Sequence, residues 1–338
     1  MDLSTKYLGL DLRNPLIASA GPLTSSADGV RRLAEAGVGA VVLPSLFEEQ
    51  LTQEANRDSW LAAGGADSFP EALSYRPGAA YEAWPHRYLH LISQARAAAG
   101  PGVPVIASLN GVSPGGWTNY ATAMEDAGAA AVELNIYYLP GDPLIPARDA
   151  EQRYTEILLA VKAAVRIPVA VKIGPYFSSP GEMAAVLDRA GADGLVLFNR
   201  FLQTDIDPET FTVSRGFRLS SPGEASLPRT WIRLLHGKVR CSLAATTGVE
   251  NWADVAAYLL AGADAVMTTS ALLRHGPAYA AVLVGGLASW MQRKGFVTVA
   301  GLRGLMSDEA NLTAPGRGGY LSAIEQATHA FGAPGALA

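Results

Sequence analysis

Cysteine is nearly absent: Cys241 is the only one in 338 residues. One thiol excludes an internal disulfide framework, and without a Cys-x-x-Cys pair there is no ligand set for structural zinc or an iron–sulfur cluster. Charge is scarce too, at 17% of residues with a net charge of −5. Lys and Arg form no cluster, which argues against the basic face that nucleic acid or an anionic membrane would require. No run approaches 18 apolar residues without Gly, Pro or a charge, so no membrane span is expected. The opening MDLSTKYLGLDLRNP lacks an apolar core and a positive leader, which predicts no signal peptide. These absences predict a soluble cytoplasmic protein, read as one domain over residues 1–338.

What is abundant is apolar sequence, 49% of residues, arranged in two alternating phrases. The first is NPLIAS (14–19), VPVIAS (103–108) and IPVAVK (167–172), each a proline followed by an apolar run. Proline at the start of a strand loses the least from its missing N–H. The second phrase is EAGVGAVVLP (35–44), DAGAAAVELN (126–135), RAGADGLVLFN (189–199) and LAGADAVMTT (260–269). Each reads as a helix end, a glycine suited to a left-handed turn, and a second apolar run.

Uninterrupted apolar strands are buried on both faces, as in parallel sheets. Helical patterns lie between them at 26–36, 81–99, 115–127, 150–164, 179–190, 228–236, 250–261 and 270–292, and 239–245 supplies a further strand. Eight strand–helix units, with the AG phrase introducing every second strand, predict a (β/α)8 barrel of α/β class. An open doubly wound sheet is the rival, but the first turn, ASAGPLTS, is not the GxGxxG that such sheets usually carry. A helical tail over 292–338 lies beyond the barrel count and would cover its base or a homodimer face.

Barrel chemistry sits at the C-terminal ends of strands. Here these carry Ala18-Ser19, Pro44-Ser45, Asn110-Gly111, Asn135, Lys172, Asn199, Thr246-Thr247-Gly248 and Thr268-Thr269-Ser270. Three insertions, 45–80, 137–149 and 200–226, follow strand ends and should roof the same mouth.

Three tempting motifs lose their functional reading. GVSPG (111–115) matches a nucleophile elbow, but Pro114 has no N–H to offer an oxyanion, and Ser113 capping a helix explains the same letters. His86 and His90 stand four apart without a visible third metal ligand, which suits a solvated helix face and predicts no metal. PGRGGY (315–320) follows no strand, so it is not read as a phosphate loop.

Other positions carry chemistry. ATTGV (245–249) and TTSAL (268–272) each lead into a helix, and their backbone N–H groups could converge on one anion or simply be capped. Lys172 ends an apolar strand, where an amine loses hydration unless an anion compensates. Either it pairs with Glu133, one strand away, or it stands beside a ligand that becomes negative in turnover. Asn135 and Asn199 offer both donor and acceptor at neighbouring strand ends, which suits the edge of a heterocycle as well as a turn.

At NPLIASAGP, VELN, VAVKIGPYF, the asparagine after the sixth strand, TTGV and GADAVMTTSALL, the chain resembles the dihydroorotate dehydrogenase family of FMN-containing barrels. The resemblance covers nearly the whole length and is nearest the dihydroorotate dehydrogenase-like branch. It implies FMN at the mouth, with its phosphate at Thr247, Gly248, Thr269 and Ser270 and its ring against Ala18 and Ser19. Asn110 and a backbone approach at Gly223 would complete the cofactor site. Lys172 would stand beside the ring, and Asn135 and Asn199 would face both cofactor and substrate.

The resemblance also implies oxidation or reduction of a CH–CH bond in a small planar carbonyl- or carboxylate-bearing molecule, as in pyrimidine biosynthesis. The electron partner is left open. Several positions depart from the pattern. The proton-abstracting Cys or Ser aligns with Tyr138, preceded by Tyr137, and a family asparagine becomes Pro140. The asparagine-rich substrate turn appears as EALSYRPG (71–78), leaving Ser74 as the substrate-side candidate, and a strand-end lysine becomes Pro44. Tyrosine, with a pKa near 10, is better matched to donating a proton than to taking one, so Tyr138 or Tyr137 is either a general acid or aromatic lining. Two further functions stay open: a Schiff-base or phosphosugar enzyme using Lys172, and a flavin-free barrel acting as a binding scaffold.

Overall fold

The computed structural model describes residues 1–49, 84–111, 117–200, 204–214, 216, 218–307 and 317–331. A hairpin of β1 (Thr5–Tyr7) and β2 (Leu10–Leu12) precedes the barrel. The barrel strands are β3 (Leu16–Ala18), β4 (Ala40–Phe47), β5 (Val105–Asn110), β6 (Ala131–Asn135), β7 (Val169–Ile173), β8 (Gly194–Leu197), β11 (Ser242–Ala245) and β12 (Ala265–Thr268). They are all parallel and close in that order, β12 returning to β3. This is the (β/α)8 barrel that the two phrases predict.

The phrases work as their chemistry requires. Pro15, Pro104 and Pro168 give up no ladder N–H, yet their carbonyls accept from Val266, Val41 and Val132 on neighbouring strands. The four AG glycines, Gly37, Gly128, Gly191 and Gly262, all have positive φ, between 92° and 115°. The aspartates after two of them act alike at the base: Asp193 accepts the Val169 N–H at 2.7 Å and Asp264 the Leu243 N–H at 2.8 Å.

Outside the sheet lie α1 (Ala27–Glu35), α2 (Trp84–Ala99), α3 (Trp117–Asp126), α4 (Ala147–Ala164), α5 (Pro180–Arg189), α6 (Ser226–Leu235), α7 (Trp252–Ala261), α8 (Ser270–His275) and α9 (Tyr279–Lys294). Their apolar faces and the outward strand residues make the main core, including Leu43, Leu134, Ile157 and Leu259. A separate core fills the barrel: Ile17, Val42, Ile106, Ala131, Ala170, Val196, Ala244 and Met267, closed from below by Tyr7, Leu8 and Leu12 of the hairpin. Leu8 and Gly9 form a two-residue turn with both φ positive, at 56° and 75°, the pattern of a tight I′ hairpin. The Leu8 tip fits because Gly194 has no side chain; a Cβ there would lie 2.4 Å from Leu8 Cδ2.

Two expectations need correction, and one insertion gains detail. Residues 270–292 are not one helix: Gly276, at φ +83°, and Pro277 break it into α8 and α9. The tail is not continuously helical from 292 either. Residues 296–307 form turns that cover the base, where the Gly304 and Met306 N–H groups bond to carbonyls of α7, and α10 spans Arg317–Phe331. The third insertion carries a small hairpin, β9 (Asp205–Asp207) with β10 (Thr212–Ser214). Among the described residues, no helix is long and apolar enough to cross a membrane.

Candidate active site

Side-chain alternation along the strands decides what reaches the mouth. On β6, Ala131, Glu133 and Asn135 share the inward face; on β7, Ala170 and Lys172 do, with Asn135 and Lys172 in register. The chain after β8 brings Asn199 beside them. Asn135, Lys172 and Asn199, with Ser19, Thr247, Thr269 and Ser270, line one cavity of about 520 Å³ at the C-terminal end of the barrel. Its size is that of a site for a small molecule or cofactor.

Asn199 Nδ2 donates to Asn135 Oδ1 at 2.6 Å, bridging the ends of β8 and β6 across β7. The bond orients both amides and leaves the Asn135 NH2 and the Asn199 carbonyl oxygen for a ligand. Below them the Lys172 ammonium lies 3.5 Å from Glu133 Oε1, with side-chain exposures of 11% and 1%. Lys172 is thus paired with Glu133 and also lines the cavity.

The far side of the cavity is built from hydroxyls. Ser220 Oγ accepts the Gly248 N–H at 3.2 Å and donates to Ser270 Oγ at 3.0 Å, while the Ser220 N–H donates to Ser270 Oγ at 2.9 Å. Arg274 reaches the Ser220 carbonyl at 2.7 Å and is ion-paired with Glu250. Gly248, at φ +73°, packs so closely that a Cβ would come within 2.6 Å of the Ala225 nitrogen. Its neighbour Thr247 also has positive φ, 82°. A β-branched residue there is an outlier that stores on the order of 1–3 kcal/mol and turns the local N–H groups from their usual directions. Thr269 Oγ1 donates to the Ser19 carbonyl at 3.0 Å, tying β12 to β3.

Not every expected residue arrives. Ala18 is buried within the ladder, one position below the lining residue Ser19. Asn110 is buried in register with Asn135 but does not line the cavity. Gly248 borders it through its N–H bond to Ser220, and Gly223 sits in a short 3-10 turn outside it, while Ser220 of the same stretch lines the cavity. Tyr137 and Tyr138 do not line the cavity; the Tyr138 ring is stacked 4.2 Å beneath the Arg153 guanidinium of α4. Ser74, with the whole 71–78 turn, and Ser113 lie outside the described residues. His86 and His90 are exposed on α2.

Two arginines were missed by sequence reasoning. Arg200 and Arg218, from the third insertion, line the roof, Arg200 paired with Glu224 at 2.9 Å and Arg218 with Asp205 at 2.6 Å. Their only linear signal was two cations in an insertion already expected over the mouth. Ser45, also in the lining, shares a hydrogen bond of 2.8 Å with Ser108. It arrives through a bulge in β4 between Val42 and Ser45, where Pro44 offers no N–H. The Tyr88 hydroxyl serves Ser108 beside the bulge, accepting its N–H at 2.9 Å and donating to its carbonyl at 3.2 Å, and burial pushes the Tyr88 pKa well up.

Comparison with known proteins agrees with this geometry. Dihydroorotate dehydrogenase B (NAD(+)), catalytic subunit, of Methanothermobacter thermautotrophicus is 29% identical over 313 residues, covering 90% of this chain and 99% of that protein. Putative dihydroorotate dehydrogenase A (fumarate) of Aeropyrum pernix is 28% identical over 300 residues, covering 87% and 94%. The catalytic subunit of Methanocella arvoryzae, with the same B-type name, is 28% identical over 303 residues. The family model described as dihydroorotate dehydrogenase matches residues 2–291, and the chain therefore belongs to the dihydroorotate dehydrogenase family.

Proposed function

We propose that this oxidoreductase holds FMN in the barrel mouth and acts on a CH–CH bond of a small planar substrate bearing carbonyl or carboxylate groups. The observation that carries the reading is one cavity with a buried cation on one side and a cluster of hydroxyls on the other. The residues fit the cofactor. Ser270, Thr269 and the Gly248 N–H suit a phosphate, once Ser220 yields the bonds it now makes with Ser270 and Gly248. Ser19 would border the ring.

Bound FMN supplies the two-electron chemistry. Lys172, 11% exposed and so little screened, would supply positive charge beside a ring that gains negative charge on reduction. Asn135 and Asn199, fixed by their mutual bond, offer one donor and one acceptor to an amide-like substrate edge. Arg200 and Arg218 suit a carboxylate at the roof.

The substrate is assigned by class only. Tyr138, at the position of the family's base, is engaged with Arg153 outside the cavity lining, so the proton-transfer role weighed for it, and for Tyr137, gains no support. The relatives' names include dihydroorotate dehydrogenases paired with NAD(+) or fumarate. The electron partner here would be a small acceptor or a second subunit.

The test is a spectrum of the purified protein with and without added FMN, followed by anaerobic titration with dihydroorotate. A yellow protein supports the cofactor, and bleaching on titration identifies dihydroorotate as substrate. A colourless protein that takes up no FMN overturns the reading in favour of a flavin-free scaffold, or of a Schiff-base enzyme if borohydride traps a carbonyl compound on Lys172.

A further inference from the structure

Beneath the cavity lies a carboxylate that the proposed chemistry leaves idle. Glu133 shares the inward face of β6 with Ala131 and Asn135, so it projects into the closed barrel rather than toward the helices. It is 1% exposed, and among the described residues neither carboxylate oxygen has a hydrogen-bond partner. Its one ion-pair partner among the described residues is Lys172, at 3.5 Å. That exceeds the ~2.7–2.9 Å of a charge-assisted hydrogen bond.

The other groups around it do not compensate. Ser108, in register on β5, is occupied by Ser45, and Ala170, in register on β7, is apolar. From below, the Tyr7 hydroxyl is also buried without a partner among the described residues, and burial together with the Glu133 charge pushes its pKa well up. A buried pair this loosely bonded contributes little to stability, and an apolar pair of similar volume often serves the fold as well. Its consequence is electrostatic. A carboxylate one layer below the cavity pulls the ammonium toward the floor and offsets the positive charge that a ligand above would meet.

We infer that Glu133 is a positioning residue for Lys172, setting how strongly that amine stabilises negative charge on the cofactor and hence how readily the cofactor is reduced. This rests on the FMN reading. Glu133 touches neither cofactor nor substrate; it acts through Lys172.

The test uses Glu133→Gln, which keeps the shape and removes the charge, in the FMN-loaded protein. Sulfite is the probe: it adds to oxidised FMN, forming one N–S bond and leaving the electron pair on the ring as negative charge. In Glu133→Gln the sulfite dissociation constant falls by roughly tenfold, the scale of releasing the amine from a charge 3.5 Å away. The reduction equilibrium against a reference dye moves by a similar factor toward the reduced form, a tenfold change being about 30 mV for a two-electron couple.

Lys172→Met moves both readouts the other way, and adding Glu133→Gln to Lys172→Met produces no such further shift. Should Glu133→Gln fail to fold, Glu133→Asp, which draws the carboxylate back from the amine, shifts both readouts in the same direction by a smaller factor. A variant that binds FMN with unchanged sulfite affinity and unchanged reduction overturns the inference alone, whatever happens to its unfolding midpoint. A wild-type protein that takes up no FMN overturns the cofactor reading and this inference with it.

Discussion

At the base of the barrel the interior is filled by Tyr7, Leu8 and Leu12 against small strand residues such as Ala131 and Gly194. At the mouth the same strands carry Asn135, Lys172 and Thr269 around an open cavity. The strands are continuous, so the change from packed to polar happens within one or two residues along each. On β6 it runs Ala131, Glu133, Asn135, and Glu133 marks the boundary. Apolar contact closes one end of the sheet at low free-energy cost, whereas the polar end must satisfy each group with a neighbour or a ligand. A barrel thereby separates stability from chemistry along its axis.

That separation is open to direct attack. Leu12→Ala empties buried space in the plug and should destabilise the fold by roughly 2–5 kcal/mol. Denaturant unfolding measures the loss, and FMN affinity stays as in the wild type; a matching loss of affinity would mean the two ends are coupled. Ser270→Ala reverses the pattern. Losing a hydrogen bond to a charged phosphate should weaken FMN binding by about 1.5–3 kcal/mol. Fluorescence titration checks this, and an unchanged affinity would move the phosphate elsewhere.

A smaller effect separates the ends by pH. At the base, burial first and the Arg303 charge second hold His236 below its ordinary value of 6.5, opposed in part by its contact with the Gly262 carbonyl. The unfolded chain therefore binds the extra proton in the window below about pH 6.5. The stability gained from the neutral ring is present above that pH and is lost as pH falls through the lowered folded value. His236→Gln should flatten this stretch of the unfolding profile; parallel profiles would absolve His236. Smallest of all is Tyr138→Phe, which keeps the ring under Arg153 and should change turnover and stability by no more than about 0.5 kcal/mol. A large fall in turnover would bring Tyr138 back into the chemistry.

Much of the frame was legible because it repeats. The prolines and AG glycines mark seven of the eight barrel strands through local backbone chemistry, and the apolar stretch at 239–245 supplies the eighth. The polar strand ends that reach the cavity, Ser19, Asn135, Lys172, Asn199, Thr247, Thr269 and Ser270, follow from the same placement. The N-terminal hairpin was not legible: three-residue strands carry too little periodicity, and its turn places a leucine at positive φ. Ser220, Arg200 and Arg218 escaped because they lie in an irregular insertion, where spacing says nothing about which side chain turns inward.

Local sequence by itself determined the order of the barrel strands, their parallel arrangement and the set of polar residues available at their ends, since these depend on backbone preferences a few residues long. Only the tertiary structure decided that Tyr138 turns to Arg153, that Ser220 rather than Gly223 lines the cavity, and that Lys172 rests on a buried Glu133. Those outcomes depend on closure of the barrel, which brings residues from distant strands within a few ångströms and removes the water that would otherwise have screened their charges.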